Sequence, residues 1–191
     1  MTAASFQQRT ILIGVTGSIA AYKACELVRE CSKRGATVHV LMTRHATQFV
    51  TPLTFQTLSR NPVTSALFDQ ITDWQPGHVS LAERADALAI APATANIIAK
   101  LAHGLADDAL STTALACRAP LIIAPAMNTA MLAHPATQAN LALLRERGAV
   151  IVASDTGDLA CGTVGAGRLA PLEQILEAIA AALAQARRGT A

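Results

Sequence analysis

Short apolar runs that alternate with helix-compatible stretches are the sequence feature that most constrains the fold of this chain. Runs rich in Val, Ile and Leu occupy residues 10–15, 37–42, 87–91, 121–124 and 149–153. Helix-compatible stretches lie at residues 19–34, 94–102, 107–118, 137–147 and 172–187. Buried strands that alternate with helices predict an α/β fold, a three-layer Rossmann-like or flavodoxin-like parallel sheet with helices on both faces.

The length and composition of the chain predict one domain that assembles with other copies of itself. Its 191 residues suit a single α/β domain, which we place at residues 10–186, between a flexible N-terminus at 1–9 and a flexible tail at 187–191. Hydrophobic residues make up 52% of the chain and charged residues 15%, which is the apolar end of globular composition. We therefore expect part of the surface to be buried in a homo-oligomer.

Charge, cysteine spacing and hydropathy argue against several other classes of protein. A formal net charge of +2, spread along the chain, is unlike the clustered Lys and Arg of nucleic-acid binders. The four cysteines form no CxxC pair and residues 1–9 are polar, so we expect a cytoplasmic protein with reduced thiols. Each apolar run is interrupted before it could span a bilayer, and no histidine has a partner at metal-ligand spacing. Neither membrane association nor a metal site is predicted.

A glycine turn follows the first predicted strand and opens the first predicted helix, at the edge where parallel sheets bind ligands. Its residues Gly17, Ser18 and Ile19 would present free N–H groups and the positive end of a helix dipole to a phosphate. The pattern is not GxGxxG, and the second strand ends in Thr43-Arg44, where NAD sites commonly have an acidic residue. This favours a mononucleotide, with a purely structural turn as the alternative. Thr43 either reaches the same phosphate or caps its own strand.

Two further strand tips carry small residues and amides. Residues 91–97 read APATANI, and residues 124–128 read APAMN. Small side chains let the backbone approach a flat ring closely, while Asn96 and Asn128 offer hydrogen-bond donors and acceptors. These segments suggest a flavin or a similar heterocycle. Asn128 could also be a helix N-cap, and both roles can hold together.

The segment 159–170, LACGTVGAGRLA, predicts a mobile lid that delivers one reactive group to a ligand. Its thiol is Cys161, its three glycines allow a tight fold, and Arg168 could meet a carboxylate or a phosphate. The alternative is an irregular loop around a buried cysteine, since free cysteine is often a small core residue.

Five motifs occur in order along the chain and together identify a family. They are GSIAAYK at 17–23, GHVSLAERAD at 77–86, APATANIIAK at 91–100, PAMNTAM at 125–131 and ACGTVGAGR at 160–168. In this order they resemble the homo-oligomeric flavin-containing cysteine decarboxylases, which act on phosphopantothenoylcysteine or on peptidyl-cysteine. The resemblance implies FMN bound between the subunits of a homotrimer, or of a dodecamer built from trimers. The chain departs from many members at Met131-Leu132, where an aromatic residue commonly follows the methionine.

The resemblance also implies a role for each site residue. His78 and Cys161 match the catalytic residues, and Asn128 matches the residue that holds the substrate carboxylate. Three more residues are expected to contact substrate: Met127, Ala160 and Arg168. The residues expected to hold FMN are Gly17, Ser18, Ile19, Thr43, Thr94, Ala95, Asn96, Ile97 and Ala126.

In the reaction that the resemblance implies, FMN oxidises the carbon that bears the substrate thiol, and the resulting thioaldehyde makes loss of carbon dioxide possible. His78 suits acceptance of the thiol proton, and Cys161 suits protonation of the enethiol. We expect conversion of 4'-phosphopantothenoylcysteine to 4'-phosphopantetheine in coenzyme A biosynthesis. One alternative is oxidative decarboxylation of a peptide's C-terminal cysteine to an aminoenethiol, in maturation of ribosomal peptide natural products. A third possibility is a non-catalytic FMN-binding regulatory subunit.

Overall fold

The computed structural model of the chain describes residues 6–67, 77–158, 162 and 164–188, and only the backbone of residues 77–79 and 186–188. The strands are β1 (Thr10–Val15), β2 (Thr37–Met42), β3 (Val63–Thr64), β4 (Ala87–Ala93), β5 (Leu121–Pro125), β6 (Val150–Ile151), β7 (Asp155–Asp158) and β8 (Val164–Arg168). The helices are α1 (Ala21–Lys33), α2 (Pro52–Ser59), α3 (Gly77–Arg84), α4 (Ala95–His103), α5 (Ala109–Ala116), α6 (Thr129–Ala133), α7 (Pro135–Glu146) and α8 (Leu172–Arg188).

Six of the strands form one parallel sheet in the order β3-β2-β1-β4-β5-β6, which confirms the predicted fold class. The strand order reverses between β1 and β4, the two central strands, which pair directly. Strands β7 and β8 form a separate antiparallel hairpin. Because all six strands of the main sheet run the same way, the loops after β1, β2, β4 and β5 meet at one edge.

The central strands are buried on both faces, so their side chains alternate between two apolar clusters. Ile11, Ile13 and Val15 of β1 belong to a cluster that also contains residues of α1, α2 and α8. Leu12 belongs to the opposite cluster, which contains residues of α3, α4, α5 and α7. Helices therefore cover both faces of the sheet, as the near-continuous apolar runs of the sequence predict.

Small side chains on β4 and β1 allow the helices to pack closely. On β4, Ala87, Ala89 and Ala91 face the α1 and α8 side. On β1, a Cβ added at Gly14 would come within 2.6 Å of Cδ1 of Leu110 in α5. The helix layers thus sit close to the strands, and the space for a ligand is at the edge of the sheet.

Several short elements were not predicted from the sequence. Helices α2, α3 and α6, the edge strand β3 and the β7–β8 hairpin had no counterpart among the expected elements. The predicted fifth strand at 149–153 is a strand only at Val150–Ile151. Among the helices of the described part of the chain, none is both long and apolar enough to cross a membrane.

The segment just before β1 is packed, although residues 1–9 were expected to be loose. Phe6 is 1% exposed within the cluster on the α1 side, and the guanidinium of Arg34 lies 5.5 Å from its ring centroid. Arg9 donates to Asp86 at 2.5 Å, and the Gln8 N–H donates to the Gly35 carbonyl at 3.3 Å. Phe6 therefore belongs to the folded core, and Gln8 and Arg9 are bonded to it, whereas the side chains of Gln7 and Gln8 are exposed and residues 1–5 lie outside the described residues.

Replacement of Phe6 by alanine measures how much this segment contributes. We expect Phe6→Ala to lower the free energy of unfolding by about 3 kcal/mol, since it removes a fully buried aromatic side chain. Phe49→Ala is the matched control, because Phe49 is 49% exposed, and it should cost less than about 1 kcal/mol. Urea unfolding of both variants provides the measurement. A cost at Phe6 as small as that at Phe49 would contradict the packing described.

Candidate cofactor and substrate site

Four loops meet at the carboxyl edge of the sheet and are hydrogen-bonded to one another. The Thr43 N–H after β2 donates to the Val15 carbonyl at the end of β1, at 3.0 Å. The Ala126 N–H after β5 donates to the Ala93 carbonyl at the end of β4, also at 3.0 Å. These bonds fix the loops that carry most of the predicted site residues.

A cavity of about 580 Å³ opens at this edge, within the usual size range of small-molecule sites. It gathers six residues predicted from the sequence: Ser18, Ile19, Ala126, Met127, Asn128 and Arg168. Six further lining residues were not predicted: Ala20, Tyr22, Lys23, Asp158, Gly167 and Leu169. The cavity lies between the start of α1, the loop after β5 and the hairpin.

The first turn of α1 forms one wall of the cavity. Ser18 accepts a hydrogen bond from the Ala20 N–H at 3.3 Å, and its own N–H donates to the Thr16 carbonyl at 2.8 Å. Ile19 and Tyr22 are 55% and 60% exposed there, and the Lys23 ammonium lies 6.0 Å from the Tyr22 ring centroid. Helical spacing from Ile19 was the signal that could have identified Tyr22 and Lys23, because residues three and four apart share a face.

Gly17 is needed for the packing of the turn and does not line the cavity. A Cβ at this position would collide with the Cβ of His45, which follows β2. The glycine therefore lets the loops after β1 and β2 approach each other. The N-terminal end of α1 lies beside the cavity and suits a phosphate, and the apolar lining residues suit a ring. Both features fit a flavin mononucleotide.

The loops after β2 and β4 lie at the same edge, but their predicted residues do not line the described cavity. Thr43 accepts a hydrogen bond from the Ala46 N–H at 3.3 Å, within the turn that follows β2, and its contact with a phosphate stays a prediction. Thr94 caps α4 by accepting from the Ile97 N–H at 3.5 Å. Ile97 is 1% exposed within the α4 side of the core, so its side chain packs there and does not face a ligand. Any contact of Ile97 with FMN would therefore be made by its backbone, and that contact stays a prediction.

Ala95 and Asn96 complete the first turn of α4, next to Thr94. Asn96 is exposed and Ala95 partly so, which leaves both accessible from the carboxyl edge. Asn128 lines the cavity and also caps α6, where its Oδ1 accepts from the Ala130 N–H at 2.8 Å. Both roles considered for Asn128 are therefore compatible with its position.

The second strand of the hairpin is anchored on the loop after β5. The Met127 N–H donates to the Gly167 carbonyl at 2.9 Å, and the Thr129 hydroxyl donates to the Ala166 carbonyl at 2.7 Å. A Cβ at Gly165 would collide with the Thr129 hydroxyl, and one at Gly167 with the Met127 carbonyl. The glycines of the predicted lid thus allow β8 to lie directly against this loop.

Arg168 lies at the end of β8 and is only weakly paired. Its Nε is 3.9 Å from Oδ2 of Asp155, its partner across the hairpin, and the two side chains are 46% and 38% exposed. An exposed pair at this separation contributes little to stability. The guanidinium is therefore available to an anionic ligand in the cavity.

The structure describes only the backbone of one predicted site residue, and two others lie outside the described residues. His78 is the second residue of α3, and its side chain lies outside the description. Ala160 and Cys161 belong to the connection between β7 and β8 and are outside the described residues. Their roles remain predictions.

The three described cysteines are poor candidates for thiol chemistry. Burial raises the pKa of the Cys31 thiol to about 12 and also raises the pKa values of Cys25 and Cys117. None of the three is among the residues that line the cavity at the carboxyl edge. Among residues 6–67, 77–158 and 164–188, no three His, Cys, Asp or Glu side chains cluster as metal ligands would.

Most of the chain is similar to proteins of one family. Residues 2–184 match the model of the flavoprotein family. A coenzyme A biosynthesis bifunctional protein from Bacillus subtilis is 47% identical over 88% of this chain, which spans only 42% of that relative's length. A probable phosphopantothenoylcysteine decarboxylase from Streptococcus mutans is 46% identical over 90% of this chain and 97% of its own. The crystal structure of the FMN-dependent cysteine decarboxylase SpaF has a TM-score of 0.83 and 34% identity, covering 95% of this chain and 99% of SpaF.

Substitution of Gly167 tests the anchoring of the hairpin. Gly167→Ala places a methyl group against the Met127 carbonyl at a φ of +120°, so β8 must move away from the loop. We expect the Met127 amide, which loses its acceptor, to exchange with solvent at least about 10-fold faster by hydrogen exchange. Gly104→Ala is the control, since Gly104 has a φ of +70° but no atom within 4 Å of an added Cβ. Equal exchange at Met127 in both variants would show that β8 is not held here.

Proposed function

This chain belongs to the flavoprotein family, and from that membership we propose that it is an FMN-dependent cysteine decarboxylase that converts 4'-phosphopantothenoylcysteine to 4'-phosphopantetheine. The observation that carries the proposal is the cavity at the carboxyl edge, where Asn128 and Arg168 face the start of α1. The names of the relatives from Bacillus subtilis and Streptococcus mutans support the coenzyme A substrate. The name of SpaF supports the use of FMN.

The residues that would hold FMN lie on the four loops of the carboxyl edge. The turn of Gly17, Ser18 and Ile19 offers N–H groups, a hydroxyl and an apolar side chain. Thr43, the first turn of α4 and Ala126 present mainly backbone and small side chains, which permit close approach to a ring. When bound, FMN supplies a two-electron acceptor for the carbon that bears the thiol.

Asn128 would bind the substrate carboxylate. Its side chain caps α6 and lines the cavity, and because its Oδ1 already accepts from the Ala130 N–H, an anion there would meet the Nδ2 donor of the amide. A neutral amide binds the carboxylate without the strong ground-state stabilisation that an adjacent cation would give, and such stabilisation would oppose loss of carbon dioxide.

His78 and Cys161 would transfer the protons. His78 accepts the proton of the substrate thiol while two electrons leave the carbon, and the resulting thiocarbonyl then takes up the electron pair released with carbon dioxide. Cys161 would donate a proton to the enethiol carbon that carried the carboxylate, while the two electrons return with a hydrogen to the carbon that bears the sulfur. Electrons thus balance over the cycle, and carbon dioxide is the net loss.

A homotrimer, or a dodecamer built from trimers, would place FMN between subunits. The apolar side chains of Ile19 and Tyr22, 55% and 60% exposed beside the cavity, support a second copy at this surface. The expected mass by light scattering is three or twelve times the 19.8 kDa of the chain, and a monomeric mass would contradict the assembly. A cytoplasmic location suits this activity and the reduced thiols, and it stays a prediction.

The decisive experiment offers the purified protein two substrates. With FMN, we expect phosphopantothenoylcysteine to lose carbon dioxide alone, because the electrons return to the product. A peptide ending in cysteine should be left unchanged. Mass spectrometry of the products separates the candidates. Turnover of the peptide alone, with loss of carbon dioxide and two hydrogens, would instead establish the oxidative peptide reaction.

Two variants assign the chemical steps in the same assay. His78→Asn should lower turnover at least about 100-fold, the usual contribution of a general acid or base. Cys161→Ser should release the enethiol, identified by the further loss of two hydrogens. His103→Asn and Cys117→Ser are the controls, because both residues lie toward the opposite edge of the sheet. Bound FMN with no turnover of either substrate by the wild-type protein would indicate a regulatory subunit.

A further inference from the structure

Thr16 is a buried polar residue between two of the loops at the carboxyl edge. It follows the last residue of β1 and is 1% exposed. Its hydroxyl donates to the Pro92 carbonyl at 2.7 Å and accepts from the Thr94 N–H at 3.1 Å. The Thr16 side chain therefore pairs with a carbonyl of β4 and with an N–H of the turn after β4, which are 76 and 78 residues away in sequence.

The backbone of Thr16 extends the same connection to the turn after β1. Its carbonyl accepts from the Ser18 N–H at 2.8 Å, which fixes the turn that lines the cavity. Thr94, whose N–H donates to Thr16, is also bonded to the first turn of α4, because its hydroxyl accepts from the Ile97 N–H. Hydrogen bonds thus run without interruption from the turn before α1 to the first turn of α4.

We propose that Thr16 is a positioning residue that sets the spacing between the two loops that hold FMN, residues 17–19 and 94–97. The inference rests on the proposed function for the identity of those loops. Valine has nearly the shape of threonine but cannot make either hydrogen bond, so Thr16→Val would leave the Thr94 N–H and the Pro92 carbonyl without their partner. The loops could then separate without loss of the fold.

A matched control separates positioning from a general contribution to stability. Thr113 is fully buried in α5, and its hydroxyl donates to the Ala109 carbonyl at 2.7 Å. Thr113→Val therefore removes a buried hydroxyl and its hydrogen bond to a backbone carbonyl within one helix, away from the four loops. Thr16→Ser is the conservative variant, because it retains the hydroxyl that the proposal requires.

The experiment measures the Kd for FMN by titration of flavin fluorescence and the unfolding midpoint in urea, on the full chain. We expect Thr16→Val to raise the Kd at least about 10-fold, which corresponds to about 1.4 kcal/mol. Thr16→Ser should stay within about 3-fold of the wild-type Kd, less than half of that energy. Thr113→Val should lower the unfolding midpoint and leave the Kd within about 2-fold of the wild type.

Equal Kd values for wild type and Thr16→Val would overturn the positioning role while leaving the proposed function intact. A wild-type protein that fails to bind FMN would overturn both. If Thr16→Val does not fold, Thr16→Ser and Thr16→Ala provide the same comparison, since they differ only by the hydroxyl. Equal Kd values for that pair would likewise overturn the proposal.

Discussion

The burial of β1 and β4 on both faces is the constraint on which the rest of the structure depends. Helices cover the two faces, so neither face has room for a ligand, and chemistry is confined to the edge where the strands end. At that edge the backbone leaves the sheet and loses its regular partners. The hydroxyls of Thr16, Thr43 and Thr94 and the amide of Asn128 replace those partners, which gives each loop a defined position.

The hairpin and the Asn128 loop form one structural unit. Asn128 lies between Met127 and Thr129, and both neighbours donate hydrogen bonds to β8. Any displacement of β8 therefore changes the two residues that flank the amide. Under the proposed function, the position of β8 and the orientation of the residue that binds the substrate carboxylate are therefore linked.

How much could be predicted from the sequence depended on whether a feature is local. The runs at β1, β2, β4 and β5 are apolar and long enough to be recognised, and the glycine turn and small-residue motifs identified the edge correctly. Strand β3 has two residues and cannot be recognised by alternation. Ile97 directly follows the exposed Asn96, and only the packing of α4 against the sheet shows that the Ile97 side chain is in the core. The burial of Phe6 likewise depends on contacts distant in sequence.

Under the proposed function, Asn128 and Arg168 would bind different anionic groups of the substrate. Loss of carbon dioxide disperses the negative charge of a carboxylate, so a cation fixed beside that group would stabilise the ground state more than the transition state. As the proposed carboxylate-binding residue, the neutral Asn128 would avoid this cost, since its amide carries no full positive charge. Arg168, on the hairpin and weakly paired with Asp155, is better suited to an anion elsewhere on the substrate. A substrate with a carboxylate at one end and a phosphate at the other would use both groups, which a simple cysteine peptide would not.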